Sequence, residues 1–447
     1  MKKIITGFVI VIVIVAAIII GIVLVKKNNT VVATSNNITL EKSTTITQDG
    51  TYTITGTLKS GQLTINTSGN VTLILDGVNI TNNNGPAIYI KKAKNVTITL
   101  KEGTTSTLTD NGSSKNDGVI YSECDLTING EGTLNITANN KDGIATKDDL
   151  VIDSGIIRID SVDDGIRGRD SITINGGNIT VNSTGDGLKT TNDENTEKGD
   201  ITINGGDIRI VSKKDGMQAI KNIVITNGDI SITTGNGGST KSGKEDFGRS
   251  QETVTDEDSL KAIKASGTIE ISNGNFTIDS EDDGIHSNTS IKITGGVFNI
   301  TSGDDGVHAD ELIEITSGEI TIDGYEGLEA TYIKVSDGII KIDASDDGIN
   351  ATAKSDKYTP TFEMEGGNIT INMGSGDTDA IDSNGNIYIK GGTLNITANS
   401  PFDYDGEGKY TGGTIIVNGS ETTELTNQMM GGGMRQGGNM RGPGGRW

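Results

Sequence analysis

Acidic residues recur at fixed intervals, most of them just before a glycine, in Asp142, Asp164, Asp186, Asp215, Asp283, Asp305, Glu326 and Asp347, with Asp258 before a serine. Several are doubled, as Asp163-Asp164, Asp282-Asp283, Asp304-Asp305 and Asp346-Asp347. From Asp142 to Asp164 to Asp186 the steps are 22 and 22 residues, as is the step from Asp283 to Asp305. If equivalent positions stack, these acids form one column. Single Asp-Gly pairs suit tight turns, where the carboxylate bonds nearby backbone and glycine accepts positive φ. Doubled acids ask for more. Two carboxylates about 5 Å apart repel by roughly 3 kcal/mol at an effective dielectric near 20, so a column of them must protonate, splay into water or hold cations. Oxygen ligands without thiols point to a hard ion such as Ca²⁺. The candidate metal ligands are Asp163, Asp164, Asp282, Asp283, Asp304, Asp305, Asp310, Glu326, Asp346 and Asp347.

Two residues after each glycine, the side chain is expected to face outward. That position reads Ala145, Arg167, Lys189, Gln218, Lys261, His286, His308, Glu329 and Asn350, and the next one is small, as in Thr146, Ala219, Ser287 and Ala309. A mixed basic and polar stripe beside an acidic one suits a linear polymer. Arg167, Lys189, Lys261, Lys264, His286, His308, Glu329 and Asn350 are the candidate carbohydrate-binding residues, with Tyr325, Tyr332 and Tyr358 as the nearby rings on which a sugar could stack.

Stacking of this kind requires a repeat. Gly-x-apolar-x-apolar recurs, as in Gly296-Val297-Phe298-Asn299-Ile300, and further apolar pairs such as Ile291/Ile293 lie between. Period-two alternation means strands. Three short strands per unit of about 22 residues describe one coil of a parallel β-helix, and a helical half-repeat is absent. About thirteen recognisable coils at roughly 4.8 Å each give a rod of about 60 Å. The less regular Ile38 to Ile80 and the residues after Val417 are expected to cover the two ends.

The chain divides into an N-terminal segment 1–29, the repeat body 30–428 with a polar loop at 235–256, and a Gly/Met/Arg-rich tail 429–447. Ile4 to Val25 contains Thr6 as its one polar side chain and is flanked by lysines, long enough for a transmembrane helix. An uncleaved anchor or a signal segment follows, placing the body outside the cell. The tail's methionines suit a soft metal and its arginines suit envelope polyanions. A net charge of −23 argues against nucleic acid as a partner. The single Cys124 excludes an internal disulfide and reads as a buried structural thiol.

The strings Lys261-Ala262-Ile263-Lys264-Ala265, Asp282-Asp283-Gly284-Ile285-His286-Ser287-Asn288, Gly303-Asp304-Asp305-Gly306-Val307-His308-Ala309-Asp310, Tyr325-Glu326-Gly327-Leu328-Glu329 and Asp346-Asp347-Gly348-Ile349-Asn350 resemble the bacterial, clostridial-type β-helix carbohydrate-binding domain family. The resemblance runs over roughly residues 38 to 428. It implies an all-β, right-handed parallel β-helix similar in fold to pectate lyases, with bound calcium. It also implies binding of polysaccharides such as polygalacturonate and cellulose, without established cleavage. Tyr325 before Glu326, and Asp258-Ser259 in place of Asp-Gly, depart from the pattern.

Two other functions compete with calcium-dependent glycan binding. One is a polysaccharide lyase acting by β-elimination, with Arg167, Arg169, Lys189, Lys261 or Lys264 as cations and His286 or His308 as base. The other is a structural spacer or adhesin in which the acids only make turns.

Overall fold

The computed structural model describes residues 31–33, 35–112, 116–239, 259–374 and 378–428. They form 45 strands joined in one continuous network of pairings. Among these residues there is no helix, and none long and apolar enough to cross a membrane. The segment 1–29, the tail 429–447 and the greater part of the loop, with Asp258, lie outside the described residues.

Strands pair in parallel with their equivalents one coil away. Ile166–Gly168 lies between Asp142–Thr146 and Leu188–Thr190, and Ser171–Ile174 between Asp149–Ile152 and Asp200–Ile203. Asn178–Ser183 in turn lies between Ile156–Ser161 and Asp207–Ser212. Three columns result, and the protein is an all-β parallel solenoid. Alternation drives it. Ile144, Ile166, Leu188, Met217, Ile263, Ile285, Val307, Leu328 and Ile349 form one inward file, all fully buried. Each such side chain stabilises the fold by about 1.5–3 kcal/mol. In the third column Phe276 stacks on Phe298 with ring centroids 4.5 Å apart. The small residues Thr146, Thr190, Ala219, Ser287, Ala309, Ala330 and Ala351 are buried, as tight coils require.

Several expectations are corrected. Ile38 to Ile80 is not a cover. Its strands Asn37–Leu40, Thr44–Ile46, Gly50–Leu58, Leu63–Asn66, Val71–Leu75 and Asn79–Asn82 join the same parallel ladders. These coils lack Asp-Gly and their length varies, from Thr44↔Leu63 to Leu63↔Ile88, so the 22-residue period does not reveal them. At the other end, Ser420–Thr422 turns back antiparallel on Thr414–Val417, and Tyr404 Oη donates to the Leu425 carbonyl at 2.8 Å.

The glycine of Asp-Gly is also there for a different reason than turn conformation. Positive φ belongs to the Gly-x-apolar-x-apolar glycines, such as Gly177 at +103° and Gly296 at +106°. The Asp-Gly glycines lack room instead. A Cβ on Gly165 would lie 2.2 Å from Val181 Cγ1 and 2.7 Å from the Gly187 carbonyl oxygen. Cys124 is half-buried, and burial raises its thiol pKa, which makes it unreactive.

Candidate functional site

The acid column exists, and its backbone explains it. Five of the turn carboxylates, Asp164, Asp186, Asp215, Asp283 and Asp347, offer one oxygen to an amide of the next coil. Asp164 Oδ1 accepts from the Asp186 amide at 2.9 Å, Asp186 Oδ1 from Asp215 at 2.9 Å, and Asp215 Oδ1 from Lys261 at 2.8 Å. The same link runs from Asp283 Oδ1 to the Asp305 amide at 3.2 Å and from Asp347 Oδ1 to the Asp379 amide at 3.3 Å. The carboxylate therefore bonds the neighbouring coil rather than its own turn. The second oxygen is left to meet a cation.

In the coils up to Asp283 the protein supplies a cation to several of these oxygens, although burial still pushes Asp142 up to about 7 and Asp164 and Asp215 up to about 6. Asp142 Oδ2 meets Arg167 Nε at 2.7 Å, and Arg167 Nη2 also reaches Asp117 at 3.0 Å. Asp186 Oδ2 meets Lys189 Nζ at 2.5 Å. Lys264 Nζ stands 3.7 Å from Asp215 Oδ2, too far for a hydrogen bond, and that oxygen is buried without one.

Lys261 corrects the register drawn from spacing. Gln218 pairs with Lys264, which pairs with His286, so Lys264 and not Lys261 occupies the outward column. Ala265, not Ala262, is the small residue after it. Lys261 stands in the acid column itself, because the Gly216 amide donates to its carbonyl as the Gly187 amide does to that of Asp215. Its ammonium lies 2.6 Å from Asp283 and 3.0 Å from Asp282. Burial opposes its charge, but these two carboxylates hold its pKa well above the ordinary lysine range.

Beyond Asp283 the balance changes. His308 Nδ1 faces Asp305 Oδ2 at 2.6 Å and Glu329 Oε2 at 2.8 Å, and Nε2 faces Asp310 at 3.4 Å. Burial opposes the imidazolium, yet three carboxylates keep its pKa well raised. Burial likewise favours a neutral Glu329, but His308 and Lys354, with Nζ at 3.0 Å, bring it down to about 2. Asp310 is held low by its bond to His308, whereas Asp304, Asp305, Glu326 and Asp347 go the other way. Burial, then Asp283 and Asp282, push Asp304 up to about 7. Asp305 is raised by burial and by Asp283 and Glu329. Glu326 rises to about 10 through burial, Asp305 and Glu329, and Asp347 to about 8 through burial and Asp382. His286 is different again. Its Nδ1 meets Asp283 at 2.7 Å and its Nε2 meets Asn288 Oδ1 at 2.9 Å, while burial lowers its pKa. The two imidazoles stack 4.7 Å apart.

These surroundings decide which acids suit an added cation. Carboxylate oxygens of Asp282, Asp283 and Asp304 lie within 4.8 Å of one another, but the Lys261 ammonium already sits between the first two. Asp142, Asp163 and Asp164 converge in the same way beside Arg167. The C-terminal acids fit better. Asn350 donates to Glu326 at 3.1 Å, yet its Oδ1 is buried without a hydrogen bond, as are Thr378 Oγ1 and Ser400 Oγ. Asn350 stands directly between Glu329 and Asp382. Asn350 Oδ1, without a hydrogen bond in that file, is an oxygen donor of the kind a hard ion takes.

A family profile described as "Carbohydrate-binding domain-containing protein" matches residues 40–306 and 304–427. The chain belongs to this carbohydrate-binding domain family. A carbohydrate-binding domain-containing protein of Acetivibrio thermocellus is 40% identical over 129 residues, which are 27% of this chain and 45% of that protein. The chain thus matches less than half the length of that relative. A solved polysaccharide lyase-like protein from C. thermocellum, in a gadolinium derivative, is 34% identical over 46% of this chain and 90% of its own, with a TM-score of 0.43.

Within this carbohydrate-binding domain, the candidate sugar ligands Arg167, Lys189, Lys264, His286, His308, Glu329 and Asn350 stand in one continuous file, interrupted by Gln218. Three of the seven, Lys264, His308 and Glu329, are buried and so less available than the spacing suggests. The file is longer than the sequence reveals. Tyr89 and Tyr121 precede Ala145 in it, with rings 5.8 Å apart, and Asp382 and Asp403 follow Asn350. The matching strings Ala87-Ile88-Tyr89 and Val119-Ile120-Tyr121 carried the signal, since each places a ring where later coils place a charge. Among the expected rings, Tyr325 stays beside Glu326, whereas Tyr332 pairs in register with Thr361 of the second column and contacts Tyr358 at 5.5 Å.

Proposed function

We propose that the domain binds an acidic polysaccharide of the polygalacturonate kind through calcium, without cleaving it. The observation that carries this reading is the excess of partly buried acid from Asp304 to Asp382 over the cations His308 and Lys354, with carboxyl groups pushed up to between about 6 and 10. Asp304, Glu326, Asp346, Asp347 and Asp382, which lie on successive coils, would hold calcium ions along the stripe. Calcium would neutralise them and leave coordination positions for uronate carboxylates, so that protein and polymer share the metal. Asp310 and Asp305 instead serve the His308 clamp, Asp282 and Asp283 are served by Lys261, and Asp164 has Lys189 nearby.

The lyase alternative needs a base with a free nitrogen. Both imidazoles commit their ring nitrogens to carboxylates or to Asn288. In this reading the coils wind right-handed, as parallel crossovers nearly always do, and Ile4 to Val25 tethers the body outside the cell, where calcium is abundant. Retention on insoluble pectate that vanishes with a chelator tests the proposal. Undiminished retention in chelator would remove calcium from it.

A further inference from the structure

A second surface lies on another face of the solenoid. In the second column Phe362, Ile387 and Ile389 point inward and are fully buried, so Glu363, Tyr388 and Lys390 face out. Tyr388 stands in register between Glu363 and Lys409 of the adjoining coils. Together with Glu407 and Thr411 they line an open groove of about 250 Å³.

The groove has a fixed floor. Glu363 is 7% exposed and is held by the Tyr332 hydroxyl at 2.8 Å, by Lys390 Nζ at 2.9 Å and by Lys334 Nζ at 3.6 Å. Tyr388 Oη reaches Glu407 at 3.3 Å, while Lys409 makes no ion pair among the described residues. Tyr332 contacts Tyr358, which is 40% exposed. Three of the chain's nine tyrosines therefore gather on this face.

Charge separates this groove from the acid stripe. Glu363, Glu365 and Glu407 are matched by Lys334, Lys390 and Lys409, so an acid polymer gains no net attraction and a divalent ion has no excess charge to neutralise. A pyranose ring meets such a surface well. Its C–H face packs on an aromatic ring, and its hydroxyls accept from ammonium groups and donate to carboxylates. We propose that the Tyr388 groove is a second sugar subsite, independent of divalent cations, that takes a neutral pyranose of an uncharged glycan chain.

Affinity electrophoresis of the full chain tests it in gels containing hydroxyethylcellulose or polygalacturonate, each with and without EDTA. The wild type is expected to be retarded by hydroxyethylcellulose equally in both conditions. Tyr388→Ala should weaken that retardation about tenfold, with an unchanged melting temperature and unchanged polygalacturonate binding. If Tyr388→Ala does not fold, Lys409→Ala, an exposed change, should weaken neutral-glycan binding several-fold. No retardation of the wild type, retardation lost in EDTA, or full retardation of the folded variants would each overturn the subsite. Failure of the polygalacturonate arm alone would strike the calcium reading and leave this one standing.

Discussion

The stripe from Asp142 to Asp283 and the stripe from Asp304 to Asp403 are built on the same backbone and differ in charge. In both, the tie of one carboxylate oxygen to the next coil's amide occurs, at Asp164, Asp186, Asp215 and Asp283 in the first and at Asp347 in the second. In the first stretch the other oxygen of Asp142, Asp186 and Asp283 has an arginine, lysine or histidine, while that of Asp215 has no hydrogen bond. In the second, one imidazolium and one lysine serve a crowd of carboxyl groups. The lesson is that the turn role and the ion role of Asp-Gly coexist, one oxygen each. The repeat fixes the first, and only the local count of bases decides the second.

Converting one stretch into the other gives the largest expected effect. Lys261→Ala leaves Asp282 and Asp283 buried without their ammonium, at a cost of about 3–5 kcal/mol in chelator by chemical denaturation. Added calcium should restore part of it, because the variant stretch then resembles the C-terminal one. A loss below about 1 kcal/mol would show that Lys261 is not the resident cation.

The pH response comes next. Unfolded carboxyls titrate near 4, whereas folded Asp304 and Asp347 titrate near about 7 and about 8. Between those values the folded chain holds more protons than the unfolded one, so stability falls as pH rises. His308 acts in the same direction, since its stabilising proton is lost as pH climbs through its raised value. Glu329 acts oppositely, but its contribution fades only as pH falls toward about 2. Metal-free protein should lose on the order of 2 kcal/mol between pH 5 and 8, and calcium should flatten the curve. A metal-free profile that rises over this range would contradict the assigned excess of acid.

Arg167→Gln, in the balanced stretch, should cost about 2 kcal/mol by stranding Asp142 and leave calcium-induced stabilisation untouched. Glu326→Gln should be the mildest. A carboxyl near about 10 is already protonated at neutral pH, so metal-free stability should shift by less than about 1 kcal/mol. The calcium-induced rise in melting temperature should nonetheless shrink. Calorimetry with and without calcium checks both variants.

The sequence shows the coils, the inward Ile file and the acid column, because strand alternation and a constant period map directly onto geometry. It misleads where the period breaks. After the loop that starts at residue 235, Lys261 stands in the acid column, and no local rule marks that shift. Ile38 to Ile80 hides its coils behind variable lengths. Partner choice is also invisible in spacing. Arg167 reaches back to Asp142 and Asp117, whereas Lys189 stays with Asp186 in its own coil, a difference set by side-chain rotamers. The second-column groove goes unseen for a related reason, since Tyr332, Tyr358 and Tyr388 come together only when long connections close.

Anomalous diffraction from crystals grown with calcium and soaked in a heavier calcium substitute locates ions directly. The charge imbalance predicts peaks among Asp304, Glu326, Asp347 and Asp382, and none at Asp142 and Asp186, whose second oxygens are held by Arg167 and Lys189. Peaks confined to the arginine- and lysine-bearing coils, or no peaks at saturating metal, would contradict it.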